Sequence, residues 1–338
     1  MKLEDIGWNS CAYDQQPDPS HGRVTLASRD HFIVWTTDGE LEATISGHFR
    51  HTSIDYPSVG DWVTLREGDV ITGVLPRRTK LVRKQPGKEV REQVLAANID
   101  VLFIVTGLDH DFNLNRLERY LVLACESGAV PVVLLNKTDL RTDLPAVLHQ
   151  TQRRAPGVTV LAVSAVTGEG MESLSRQLQP TQTAALIGSS GAGKSTLVNR
   201  LLGVERQLTM PVRNSDAKGR HTTTRRELIL MPQGWLLMDL PGLRELQLWA
   251  DPEQIEQAFS DIADLAQDCR FRDCTHSHEP GCAVREADFP PERLESYRKL
   301  QRELRYLEKQ TDHQAARVYK NLTKAAERAV RSHPKRRN

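Results

Sequence analysis

The stretch GSSGAGKST (Gly188 to Thr196) constrains this chain more than any other. It fits the pattern GxxxxGK[ST], follows the apolar run TAALI and opens the helical pattern TLVNRLLG. Such a loop works only where a buried strand turns sharply into a helix, because backbone N–H groups at the helix N-terminus must close around phosphate oxygens. Gly188, Ser189, Ser190, Gly191, Ala192 and Gly193 form that cradle, Lys194 reaches the β and γ phosphates, the Ser195 hydroxyl is placed to ligate Mg²⁺, and Thr196 completes the motif. The loop therefore demands an α/β domain with a parallel sheet.

The flanking sequence meets that demand. From Asn98 onward, apolar runs of strand length alternate with helical stretches, which predicts a doubly wound sheet. IDVLFIVTGLD ends near Gly107, VPVVLLNKTD ends in a polar motif, VTVLAVSA ends at Ser164-Ala165, and GWLLMDLPG ends at Asp239. Ligands of such sheets lie beyond the carboxyl ends of the strands, so these motifs converge on one edge. There Asp239 supplies the carboxylate that holds Mg²⁺ through water, and the Gly242 amide faces the γ-phosphate.

Asn136, Lys137, Thr138 and Asp139 choose the base. Asp139 can accept hydrogen bonds from the guanine N1–H and N2–H₂ donors, a pattern adenine does not present, so GTP is expected rather than ATP. Asn136 ties this loop to the phosphate loop, Lys137 lies over the base, and the Ser164-Ala165 backbone donates to guanine O6. The base motif precedes the phosphate loop, which is a cyclic rotation of the usual GTPase order. Because the ends of a compact domain are often close together, a new break at a surface connection leaves the core intact. That break falls between the Asp239 strand and VLFIVTGL, so the segment after Asp239 runs directly into the C-terminal region.

At 338 residues, with 39% hydrophobic and 26% charged residues, the chain is long enough for several cores. Three domains are expected. Residues 1–90 read as five short strands separated by Gly, Asp and Pro turns, fitting a small oligonucleotide-binding (OB-type) β-barrel that binds RNA. Phe49, Arg50 and His51 are its candidate RNA contacts, while Phe32, Trp35 and Trp62 are expected to fill it. Residues 91–245 form the permuted GTPase domain, and 246–338 a helical zinc-binding domain. The opening MKLEDIGWNS lacks an apolar core of signal-peptide length and no apolar run is long enough to span a membrane, so a cytoplasmic protein with no membrane partner is expected.

Net charge is +1, but residues 292–338 carry 14 Lys/Arg against 6 Asp/Glu, and residues 77–91 carry seven basic residues and one acidic one. Two basic patches on a mildly acidic body point to RNA. CRFRDCTHSHEPGC presents Cys269, Cys274, His276 and Cys282, a set of three thiolates and one imidazole that suits one structural Zn²⁺ and leaves no open position for catalysis, with His278 as a competing ligand. For hydrolysis, Leu243 stands where many GTPases place a water-orienting Gln; His221 of GRHTTT is the nearest side chain able to replace it, alongside Lys194 and Gly242. One of Thr222, Thr223 and Thr224 completes the Mg²⁺ shell, with spacing favouring Thr224.

In order along the chain, PSVGDWV, NKTD, GSSGAGKST, GRHTTT, DLPG, the Cys/His knuckle and the basic tail resemble the RsgA family of circularly permuted, small-ribosomal-subunit-dependent GTPases, over nearly the whole chain. The resemblance implies slow GTP hydrolysis that the small (30S) subunit stimulates, a role in late maturation of that subunit, contact with 16S-type rRNA, and a monomer. It also selects His276 over His278 as the zinc ligand. Leu240 stands where the family usually has Ser, and the long basic N-terminal extension of some members is missing. A GTP-dependent RNA-binding module in which hydrolysis is incidental is the alternative; intact Lys194, Ser195 and Asp239 favour the enzyme.

Overall fold

The computed structural model describes residues 2–9, 13, 18–28, 31–47, 49, 56–66, 69–84, 92–203, 226–240, 252–287, 289–307 and 309. Alternating apolar residues build β1 (His21–Ala27), β2 (His31–Thr36), β3 (Gly39–Ile45), β4 (Trp62–Arg66) and β5 (Val70–Val74). Their order is β1-β2-β3-β5-β4, and β4 returns to pair antiparallel with β1, closing the expected five-stranded barrel.

Strand periodicity decides which aromatic residues fill the barrel. Phe32, Val34, Ile45, Val63 and Ile71 share its interior. Trp62, one position from Val63, points to the opposite face of its strand and packs on Leu3, Ile6 and Trp8, where Trp8 meets it edge-on at 4.9 Å. Trp35, one position from Val34, is likewise outside the interior and only half-buried, with its indole N–H donating to Glu40. Of the three residues expected inside, only Phe32 is there. Phe49 is a second correction: it is buried in the barrel core and unavailable to RNA. Arg50 and His51 lie outside the described residues.

Strands β6 (Lys80–Lys84) and β7 (Glu92–Ala97) lie on either side of position 90 in sequence and pair antiparallel. This pair and the residues just before it use charges the sequence offered to RNA: Arg77 is held by Asp61 at 2.7 Å, Arg78 pairs with Asp100, and Lys80 pairs with Glu92. Asp61 belongs to PSVGDWV, and this segment joins the barrel to the central domain. The Gly60 amide donates to Val24, and the Asn98 side chain donates to the Gly60 carbonyl. A Cβ at Gly60 would lie 2.2 Å from the Ala97 carbonyl oxygen, at a φ of +88°. Arg23 completes the joint from a fully buried position, donating to Ile6, Asn98 and Thr183; burial lowers its pKa to about 10.

The central sheet contains β8 (Val101–Gly107), β9 (Val130–Asn136), β10 (Thr159–Val163), β11 (Thr183–Gly188), β12 (Glu227–Leu230) and β13 (Leu236–Asp239). Its order is β10-β9-β8-β11-β13-β12; the first five are parallel and β12 is antiparallel to β13. One residue pair, Leu26 with Glu227, continues it into β1 of the barrel. Strands β8 and β13 flank β11, as a break between their sequence positions requires. Helices α1 (Leu114–Ser127), α2 (Leu144–Arg154), α3 (Met171–Ser175) and α4 (Lys194–Leu202) accompany the sheet.

The C-terminal unit comprises α5 (Pro252–Ala258), α6 (Ser260–Ala266), α7 (Ala283–Glu286) and α8 (291–307). Ile255, Phe259, Ile262, Tyr297 and Leu300 form its core, which Val122 of α1 enters from the central domain. Among the described residues no helix is long and apolar enough to cross a membrane.

Candidate nucleotide site and metal centre

The parallel strands end in register. Gly107 of β8 is level with Asn136 of β9, Asn136 with Val163 of β10, and Val105 with Gly188 of β11, so the motifs share one edge despite their order in the chain. The phosphate loop turns tightly between β11 and α4. Gly188 has no room for a side chain, since a Cβ would lie 2.2 Å from the Val105 carbonyl oxygen. Gly193, at φ +93°, would place a Cβ 2.2 Å from Asn136 Nδ2. Lys194 is 9% exposed and donates from Nζ to the carbonyls of Gly188 and Ser189, both at 2.8 Å. Burial pushes its pKa below the usual lysine range, opposed by the Asp239 carboxylate. Ser190, Gly191, Ser195 and Thr196 face solvent.

Asn136 is the junction of the site. Its side chain is buried, donates to the Ala192 carbonyl at 2.9 Å and accepts from the Ala165 amide at 3.1 Å. One amide thus joins the base motif, the phosphate loop and the Ser-Ala loop. Asp139 is exposed and accepts from the Ser164 hydroxyl at 2.5 Å, which aims its carboxylate from β9 toward β10. Thr138 is buried behind it. His221, Thr222, Thr223, Thr224, Gly242 and Leu243 lie outside the described residues.

The loop between β8 and α1 belongs to the site but to no motif. Asp109 accepts from Lys137 Nζ at 2.5 Å, and that contact holds its carboxyl below the usual carboxylate range. Asp111 is lowered chiefly by the Ser189 hydroxyl of the phosphate loop. A cavity of about 550 Å³ opens here, lined by Asp109, His110, Asp111, Arg116, Lys137 and Ser189 among others. The position of Asp109 at the carboxyl end of VLFIVTGLD was the only sequence signal for it.

In the C-terminal unit the donor atoms of Cys269, Cys274, His276 and Cys282 lie within 4.8 Å of one another. Tetrahedral zinc with Zn–S near ~2.3 Å and Zn–N near ~2.0 Å has S···S edges of about 3.8 Å and S···N edges of about 3.5 Å. Cys269 Sγ to Cys282 Sγ is 3.8 Å, and His276 Nδ1 lies 3.6 Å and 3.4 Å from those two sulfurs. The group can therefore hold a metal ion. His278 is exposed and outside the cluster. Glu279 braces the loop by accepting from the Thr275 amide and hydroxyl and from the Ser277 and His278 amides.

The family model described as RsgA GTPase matches residues 74–249. An ABC transporter model matches residues 171–335, which include the phosphate loop but not the base motif. The chain is 45% identical over 350 aligned positions to a protein of Opitutus terrae named small ribosomal subunit biogenesis GTPase RsgA, covering 96% of this chain and 95% of that one. A Listeria monocytogenes protein named small ribosomal subunit biogenesis GTPase RsgA 2 is 40% identical, with 100% and 99% covered. The crystal structure of YjeQ from Thermotoga maritima aligns with a TM-score of 0.63 and 27% identity, covering 84% of this chain and 98% of that chain. The structure of YloQ, described as a circularly permuted GTPase, aligns with a TM-score of 0.59, 23% identity, and 87% and 96% covered, and shares the fold. The permuted motifs thus meet at one sheet edge in a chain whose relatives align along nearly its full length, and the chain belongs to the RsgA GTPase family, a family of GTP-hydrolysing enzymes.

Proposed function

We propose that this protein binds the small (30S) ribosomal subunit and assists its late maturation, hydrolysing GTP slowly alone and faster on the subunit. The names of the relatives support the subunit assignment. The observation that carries the nucleotide reading is the Asn136 side chain, which bonds both the phosphate loop and the Ser-Ala loop and so couples base recognition to phosphate binding. Residues 188–196 hold the phosphates, Ser195 and Asp239 hold Mg²⁺ with Thr223 or Thr224, and Asn136, Lys137, Thr138, Asp139, Ser164 and Ala165 hold guanine. Gly242 senses the γ-phosphate. Three units, 1–90, 91–245 and 246–338, divide binding of RNA, nucleotide and metal, in a monomer that works in the cytoplasm.

Leu243 offers no hydrogen bond to water, so hydrolysis by the free protein is slow, and His221 positions the water when the subunit organises the site. A partner of this kind raises turnover by on the order of 10³ or more. GTP turnover with and without 30S subunits tests the reading: strong stimulation, lost in His221→Ala, is the expected result, and equal turnover in the two conditions refutes it. The subunit should also bind more tightly with a non-hydrolysable GTP analogue than with GDP; equal affinities would exclude a nucleotide switch.

The basic tail and α8, which carries Arg298, Arg302 and Arg305 beside the knuckle, contact 16S-type rRNA. The knuckle holds one structural zinc. Three thiolates and an imidazole favour that ion over hard cations, and a closed four-ligand set supplies folding stability rather than chemistry. Elemental analysis is expected to find about one zinc per chain. Cys274→Ser should remove most of it while leaving GDP affinity within about twofold, because all four ligands lie in the C-terminal unit and none on a nucleotide loop. A zinc-free parent protein would refute the assignment.

A further inference from the structure

We propose that Asp109, on the loop between β8 and α1, is a positioning residue for nucleotide binding that holds Lys137 across the base pocket. This rests on the reading of Lys137 as the residue lying over guanine. Lys137 has a left-handed backbone, φ +69°, which turns its side chain back from β9 toward the phosphate loop. Its Cε lies 3.9 Å from where a Cβ on Gly193 would sit, and its Nζ meets Asp109 Oδ2 at 2.5 Å. The stem is therefore strung between the phosphate loop and the β8–α1 loop. A lysine stem is rotamer-rich, and an anchored head removes most of its freedom before the nucleotide arrives.

The anchor is itself anchored. Asp109 Oδ1 accepts from the Asp111 amide at 3.0 Å, and Asp111 holds the Ser189 hydroxyl of the phosphate loop and pairs with Arg116 at 2.8 Å. The pair is only partly screened, with 25% of the Lys137 side chain and 19% of the Asp109 side chain exposed. Asp109 touches the residue that covers the base rather than the hydrogen-bonding edge that Asp139 reads. Its effect must then be the same for every purine, and it must disappear when Lys137 cannot be held.

The test is a double-mutant cycle on the full chain, read as the affinity for fluorescent GDP and IDP analogues. Asp109→Asn is expected to weaken both ligands by the same factor, about five- to tenfold, and Lys137→Met by a comparable factor. In the double variant, adding Asp109→Asn should cost less than twofold, and Asp109→Glu should recover part of the loss. If both single variants weaken binding and their losses simply multiply, Asp109 acts through the loop and the proposal fails alone. An unchanged affinity in Asp109→Asn also overturns it. If Lys137→Met binds as the parent does, the reading of Lys137 fails and takes the proposal with it.

Discussion

Asp139→Asn should invert the base preference of the site, weakening GTP on the order of a hundredfold and making xanthosine triphosphate the better ligand. Asp139 reaches solvent at the sheet edge, and the Ser164 hydroxyl at 2.5 Å fixes one of its oxygens. A carboxylate aimed this way accepts from two adjacent donors on guanine. An amide would set a donor against one of them, leaving an unpaired group on each side, whereas xanthine presents a carbonyl where guanine carries N2 and restores the match. Titration with fluorescent GDP and XDP analogues reads the switch directly. Equal affinities of parent and variant for GDP would remove Asp139 from base recognition.

Glu118→Ala should lower stability by about 3–5 kcal/mol, because it leaves the buried Arg154 guanidinium without its carboxylate and takes one of two carboxylates from the buried Arg293. Glu118 is fully buried on α1, receiving Arg154 of α2 at 2.5 and 2.7 Å and Arg293 of α8 at 3.0 Å. Arg293 is also fully buried, donates to the Arg154 carbonyl at 2.7 Å, pairs with Asp261 at 2.6 Å and lies over the Phe259 ring at 4.6 Å. This network locks the C-terminal unit to the central domain. The expected readout is a fall of roughly 10 °C in the melting midpoint and faster proteolytic release of the C-terminal unit. Glu172→Ala is the matched control: Glu172 pairs with Arg176 four residues on, at the exposed end of α3, with the two side chains 81% and 68% open to water, and its loss should change stability by less than about 0.5 kcal/mol. Equal midpoints for Glu118→Ala and the parent would show that the lock contributes nothing.

The lock also bears on the nucleotide switch proposed above. The segment after Asp239 is continuous with the C-terminal unit in sequence, but that unit is also pinned to α1 and α2, elements next to the base motif. Nucleotide-dependent movement of the C-terminal unit relative to the barrel must therefore either break the Glu118 network or carry α1 with it. A Glu118 variant that responds to GTP more strongly than the parent would indicate the first.

Short-range patterns were legible in the sequence. The strand-loop-helix context of GSSGAGKST, the alternation that built the barrel strands, and the spacing of Cys269, Cys274, His276 and Cys282 each depend on the local geometry of a few neighbouring residues, and each appears where it was expected. The permuted order was legible for the same reason, since every motif keeps its own strand end. Long-range complementarity was not legible. Whether Trp62 faces into the barrel or out of it, whether Arg77 meets RNA or Asp61, and whether Asp109 finds Lys137 depend on which distant surfaces pack together. Charge and hydrophobicity state what a side chain needs, and many partners can meet that need. The sequence by itself determined the sheet, the loops and their chemistry; tertiary structure alone decided the pairings of Arg23, Asp109, Glu118 and Arg293, because a buried or half-buried charge must take a partner from whatever element the packing brings beside it.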